Sequence, residues 1–195
     1  KNSVGLSPLT GSIVSLAMYD IERNRGAVYY AGDEGGETFV EGEFVAKVRT
    51  EKEILEDFWE GAQSYDVFVT FNGRAFDVPF LLHRSIVHGV RPSYAFAQNR
   101  YLTKQSLPYH VDLMDEFTMY GAMSKRPSLH MLLRAYEIDS KKGEVDGSMV
   151  AELFQTKKFH DLIRHNIDDV IATTALYEKW KQYLAPASFL NAIEF

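Results

Sequence analysis

The sequence predicts an α/β fold: a mixed sheet of antiparallel hairpin strands and parallel strands, flanked by helices. Three observations carry this. Two short runs rich in β-branched and aromatic residues, 13–19 and 27–30, flank a polar turn and read as a hairpin. The run Asp66-Val67-Phe68-Val69-Thr70-Phe71 has the composition of a buried strand and is followed, past Asn72-Gly73, by a helical pattern. Apolar residues also recur at helical spacing over 54–62 and 159–183.

In order, residues 1–11 are a polar entry ending in the turn signal Ser7-Pro8-Leu9-Thr10-Gly11. The first hairpin follows, and 33–37 is an acidic, Gly-rich loop. Residues 39–48 read as a third, edge-like strand. Thr50 and Glu53 form a capping box, with Ile54, Leu55, Phe58, Trp59 and Ala62 as the core face behind it. The strand at 66–71 leads to a helix that tolerates Pro79 in its first turn and stops at Gly89; His83 and His88 on it read as surface or packing residues.

Residues 91–108 are irregular, with Tyr94, Phe96, Arg100, Tyr101 and Lys104 interleaved. Such a mixture stacks bases and touches phosphates, or it pins a loop by burying rings and snorkelling cations; both readings stand. A further strand, 109–113, leads into a short helix that Asp112 can cap. Ser128 caps the next helix. Residues 140–147, with Lys141 and Lys142, read as a solvated loop, 148–154 as a short helix, and 185–195 as an apolar tail that packs back or meets another chain.

The 195 residues suffice for one cored domain, and no linker divides residues 1–195. With 46% hydrophobic and 25% charged residues the chain is ordinary globular material. No apolar run approaches a membrane span, and no signal-peptide pattern is present. The lack of cysteine excludes disulfides, thiolate metal sites and a cysteine nucleophile. A cytoplasmic, intracellular setting fits. The formal net charge of −6 excludes wrapping of nucleic acid by bulk charge. It leaves room for a nuclease, whose acidic centre is neutralised by bound cations.

The chemistry concentrates in two phrases. Asn72-Gly73-Arg74-Ala75-Phe76-Asp77 delivers a carboxylate just past a strand end, where open α/β sheets place ligands. The plain alternative for Asp77 is a helix N-cap. His165-Asn166-Ile167-Asp168-Asp169 lies on the long helix, where His165 and Asp169 share a face and Asp168 is rotated away.

Together the phrases resemble the second and third motifs of the DEDD-type 3′→5′ exonucleases, in particular the exonuclease domain of family-B DNA polymerases and its stand-alone relatives. The resemblance runs over about residues 5–184. It implies a ribonuclease H-like fold and two-metal phosphodiester hydrolysis at single-stranded DNA or RNA 3′ ends. It makes Asp77 and Asp169 ligands of Mg²⁺ or Mn²⁺, and it continues at His110-Val111-Asp112-Leu113, where relatives often carry H-x-D-L, so that supporting the metal site is the alternative to capping for Asp112. Asn72, Arg74 and Phe76, in the first phrase, are the candidate substrate contacts. Where the family's Y-x-x-x-D has tyrosine, this chain has His165, and an imidazole of ordinary pKa about 6.5 suits a general base. The alternative is a helix-surface histidine paired with Asp169.

A second departure concerns the family's D-x-E at the end of its first strand. Asp20-Ile21-Glu22 is one assignment, but it follows what looks like the family's second strand and reads as a hairpin turn. The first strand and its D-x-E are then expected upstream of Lys1, which would leave an open sheet edge. The alternative function is accordingly a catalytically impaired nucleic-acid-binding or scaffold domain of a larger replication or repair protein.

Overall fold

The first hairpin forms as its turn chemistry dictates. In the computed structural model, which describes residues 7–32, 38–96, 98–139 and 148–193, β1 (Ser15–Asp20) pairs antiparallel with β2 (Arg25–Ala31), from Ser15 opposite Tyr30 to Asp20 opposite Arg25. Asn24 takes a left-handed φ of 49° in the turn. Asp20 closes the turn by accepting from the Arg23 amide at 3.0 Å and the Arg23 guanidinium at 2.8 Å. Burial alone would raise its carboxyl, but Arg23 and Tyr65 hold it below the usual range.

The reading of 39–48 as one edge strand is corrected. Gly42, with φ 57°, turns the chain between β3 (Phe39–Glu41) and β4 (Phe44–Arg49). Such a positive φ costs a glycine nothing. Only β3 is the edge: β4 lies inside the sheet, parallel to β2, and the strand order is β1-β2-β4-β3.

Helix α1 (Glu51–Ala62) starts at the Thr50–Glu53 capping box and buries the five residues that its periodicity marks. Strand β5 (Val67–Thr70) and α2 (Asp77–His88) follow, and Gly89 ends α2 in the left-handed conformation. A short 3-10 turn at Leu102–Lys104 precedes β6 (Tyr109–Asp112), which pairs parallel with β5 as a second, two-stranded sheet. The remaining helices are α3 (Leu113–Phe117), α4 (Leu129–Ala135), α5 (Ser148–Gln155), α6 (Phe159–Tyr183) and α7 (Ala187–Ile193). The tail does pack back: Phe189 of α7 is buried against Trp180 and Tyr109. The expected loops at 33–37 and 140–147 lie outside the described residues, as does the entry at 1–6. Among the described residues no helix is long and apolar enough to cross a membrane.

Glu51 ties three elements together. Its carboxylate accepts from Arg84 through Nε and Nη2, both at 2.8 Å, from the Ile13 amide at 2.7 Å, and meets His88 Nε2 at 2.7 Å. Burial would raise its pKa, but these donors outweigh it and the net direction is down. Glu51→Gln is expected to cost about 3 kcal/mol at pH 7, because it strands a partly buried guanidinium. The lowered pKa places this contribution above the ordinary glutamate range, and it fades as pH falls through the folded value. Urea midpoints of both proteins between pH 3 and pH 7 check this.

Helix α6 spans both sheets. Its first half packs Ile163, Ile167 and Val170 against Val28, Tyr30, Phe44 and Ala46. Its second half packs Ala172, Leu176, Tyr177 and Trp180 with Val111 and with Val67 and Val69. On the opposite face, Leu16 and Met18 of β1 and Phe68 of β5 share one cluster with α1 and α2. The two sheets therefore lie in one layer between the same helices.

Among the described residues, each sheet turns an unpaired edge toward the other. The Ala31 amide donates to the Val14 carbonyl, so the backbones of Ser15, Ala17 and Tyr19 point away from β2. The Tyr109 amide donates to the Asp66 carbonyl, so those of Val67 and Val69 point away from β6. Tyr65, at the start of β5, donates to Asp20, at the end of β1, at 3.1 Å. Ile13, before β1, packs with Val78 and Leu81, beyond the end of β5. The two edge strands thus run in opposite directions.

Candidate active site

Asp77 sits at the first position of α2, and the residue before it, Phe76, caps that helix with no side-chain hydrogen bond. The N-cap explanation of Asp77 therefore finds no support in the geometry. Burial raises the Asp77 carboxyl to about 6, its own amide opposes this, and the Asp112 charge adds to the rise. The result is a half-buried carboxyl group, its pKa raised, past the carboxyl end of a parallel strand.

The turn that delivers Asp77 is held from β6. Asp112 is 3% exposed and accepts from the Asn72 amide at 2.9 Å and the Arg74 amide at 2.8 Å. It also caps α3 through the Met114 amide at 3.0 Å. Asn72 adopts a φ of 61°, which asparagine tolerates better than most residues. At Gly73 a Cβ would come within 2.4 Å of Thr70 Oγ1, so the turn admits only glycine there without a shift. The capping role expected for Asp112 is thus present, but it is the smaller part of what this carboxylate does.

Of the candidate substrate contacts, Arg74 is turned inward. Its Nη2 donates to the His110 carbonyl at 3.1 Å, its Nε lies 3.6 Å from Asp115, and its side chain is 16% exposed. Asn72 is half-buried. Phe76 is exposed, with its ring 5.0 Å from that of Phe80. Burial, with a contribution from Arg74, lowers His110 to about 3, so its ring is neutral; Nε2 meets Thr70 Oγ1 at 2.9 Å and braces β6 against β5. Tyr94 and Phe96 resolve toward the core, while Arg100 and Tyr101 reach the surface.

On α6, His165 Nε2 lies 3.6 Å from Asp169 Oδ2, the pairing that their spacing implies. The His165 side chain is largely buried and that of Asp169 is about one-third exposed. Asp20 is committed to its turn and Glu22 is exposed. A hard cation takes several oxygen ligands. Asp77 offers a half-buried carboxylate that such an ion would neutralise, whereas the oxygens of Asp112 are occupied by three amides. Among the described residues no three His, Asp or Glu side chains gather closely enough to hold a metal ion. The described donors therefore fit a divalent cation only in part.

A mixed four-stranded sheet flanked by helices makes the fold ribonuclease H-like, and its site lies where open α/β sheets take ligands. Fold and site together define a nuclease-type domain. Over residues 28–189 the chain matches the predicted 3′-5′ exonucleases related to the exonuclease domain of PolB, and it belongs to that family. The match takes in Asp77, His165 and Asp169, and membership places the chain among predicted nucleases, a class of hydrolases. No curated protein matches it.

Proposed function

We propose that the chain shortens single-stranded DNA or RNA from the 3′ end, with Asp77 and Asp169 as ligands of Mg²⁺ or Mn²⁺ and His165 as the base. The observation that carries this reading is Asp77, a half-buried carboxylate delivered just past a strand end by a turn that Asp112 fixes. When bound, divalent ions activate water and stabilise the leaving oxygen. The residues of this chain contribute position and charge: Asp112 fixes the turn, and Asp169 orients His165.

The unpaired edges that β1 and β5 keep among the described residues support the expectation that the family's first strand, bearing the D-x-E, is not one of the described strands. A strand there would pair with both edges under α6, and a side-chain bridge such as Tyr65–Asp20 is long enough to reach across one strand. The second reading, an impaired nucleic-acid-binding or scaffold domain of a larger replication or repair assembly, is favoured by the lack, among the described residues, of three His, Asp or Glu side chains grouped closely enough to hold a metal ion.

A 5′-labelled single-stranded oligonucleotide, incubated at low salt with Mn²⁺ or Mg²⁺, separates the two. A ladder shortening from the 3′ end, lost in Asp77→Ala and Asp169→Ala, is the expected result for the exonuclease. Intact substrate beside a folded chain selects the second reading.

A further inference from the structure

We propose that Tyr101, with Arg100 and Lys104, forms a nucleotide subsite beside the Asp77 turn, stacking one base and meeting its phosphate. The proposal deepens the exonuclease reading and rests on it. Three features of the surface point there.

The first is an exposed aromatic ring on a braced turn. Tyr101 is 47% exposed, yet its amide donates to Asn99 Oδ1 at 3.0 Å and its carbonyl accepts from the Lys104 amide at 2.9 Å. Leu102, next to it, is buried as the anchor. The Tyr120 ring lies 4.8 Å from that of Tyr101 at 54°, and Tyr120 is itself held by Glu116. A ring fixed this way loses little entropy on stacking, and every base offers it a π-face.

The second is charge. Lys104 Nζ stands 5.5 Å from the Tyr101 centroid and can swing to a phosphate. Arg100 forks onto Asp115 at 2.9 and 2.5 Å and still exposes 45% of its side chain. In a chain of net charge −6, local cations of this kind must supply the attraction that the whole surface lacks.

The third is continuity with the candidate site. Asp115 is shared by Arg100 and Arg74, and Arg74 belongs to the turn that ends at Asp77. The shelf therefore stands at the same carboxyl end of the β5–β6 pair as Asp77. The exposed ring of Phe76 marks the other flank of that turn.

The test is fluorescence anisotropy with a fluorescein-labelled ten-nucleotide oligothymidylate, in EDTA so that no cleavage occurs. The proteins are the wild-type chain, Tyr101→Ala, Tyr101→Trp, Lys104→Gln and, as a control on an exposed lysine of α1, Lys52→Gln. Tyr101→Ala is expected to weaken binding about tenfold, whereas Tyr101→Trp keeps it. Lys104→Gln is expected to flatten the slope of log affinity against log salt by about 0.7, and Lys52→Gln to leave it unchanged. Wild-type binding that Tyr101→Ala alters less than twofold overturns the subsite and leaves the exonuclease reading standing. A wild-type chain that binds no oligonucleotide overturns the subsite as well, while the cleavage assay with Mn²⁺ or Mg²⁺ decides the exonuclease reading separately.

Discussion

Asp112→Ala is expected to lower the unfolding free energy by about 4 kcal/mol, since it orphans three amides at once, one buried and two part-buried. The carboxylate divides its oxygens: Oδ1 takes the amides of Asn72 and Met114, and Oδ2 takes that of Arg74. Asparagine with its carbonyl in the Oδ1 position keeps two of these bonds and turns an NH₂ toward the Arg74 amide. Asp112→Asn is therefore expected to cost about 1–2 kcal/mol and to release one end of the turn only. Urea unfolding gives the totals, and amide hydrogen exchange gives the location. In Asp112→Asn the Arg74 amide should exchange faster while Met114 stays protected. Nuclease activity should fall in both variants, because the turn they loosen positions Asp77. A stability loss below about 0.5 kcal/mol in Asp112→Ala would mean that water or a shifted backbone replaces the grip, and the positioning argument would fail.

That grip shows what a single sequence conceals. The elements built from local rules were legible: α1 from its capping box and five-residue apolar stripe, the stop at Gly89, the length of α6. The β3–β4 hairpin was not read, although Gly42 between two glutamates interrupts a β-rich run and marks the turn. The parallel pairing of β2 with β4 has no local signal, since it depends on which edge the returning chain meets. At the site, Asp77 could be picked out because strand, turn and acid are contiguous. For Asp112 the helix cap was the preferred reading over support of the site, because its second task is performed on residues 38 and 40 positions earlier. The inward turn of Arg74 is hidden for the same reason: its partners, His110 and Asp115, lie on the next strand and helix.

Asp77→Asn is expected to stabilise the protein while removing its activity. Burial raises the folded-state pKa of Asp77 to about 6 from an ordinary 3.8, with Asp112 adding to the rise. For a carboxyl raised in this way the folded state binds more protons than the unfolded state between the two values. Stability therefore falls as pH climbs from about 4 through 6 and is flat beyond, a total of at most about 3 kcal/mol. Asparagine carries no charge to desolvate, so this part of the slope disappears. Below pH 4 the two proteins should be equally stable, and at pH 7.5 the variant should lead by up to about 3 kcal/mol. A divalent cation at Asp77 would offset the same penalty, so Mn²⁺ should raise the urea midpoint of the wild type at pH 7.5 more than that of the variant. An ordinary structural carboxylate predicts the reverse: a variant less stable than wild type at pH 7.5, with no difference in response to the ion. Such a cost at Asp77 fits the proposal that its ionised form serves a cation and not the core.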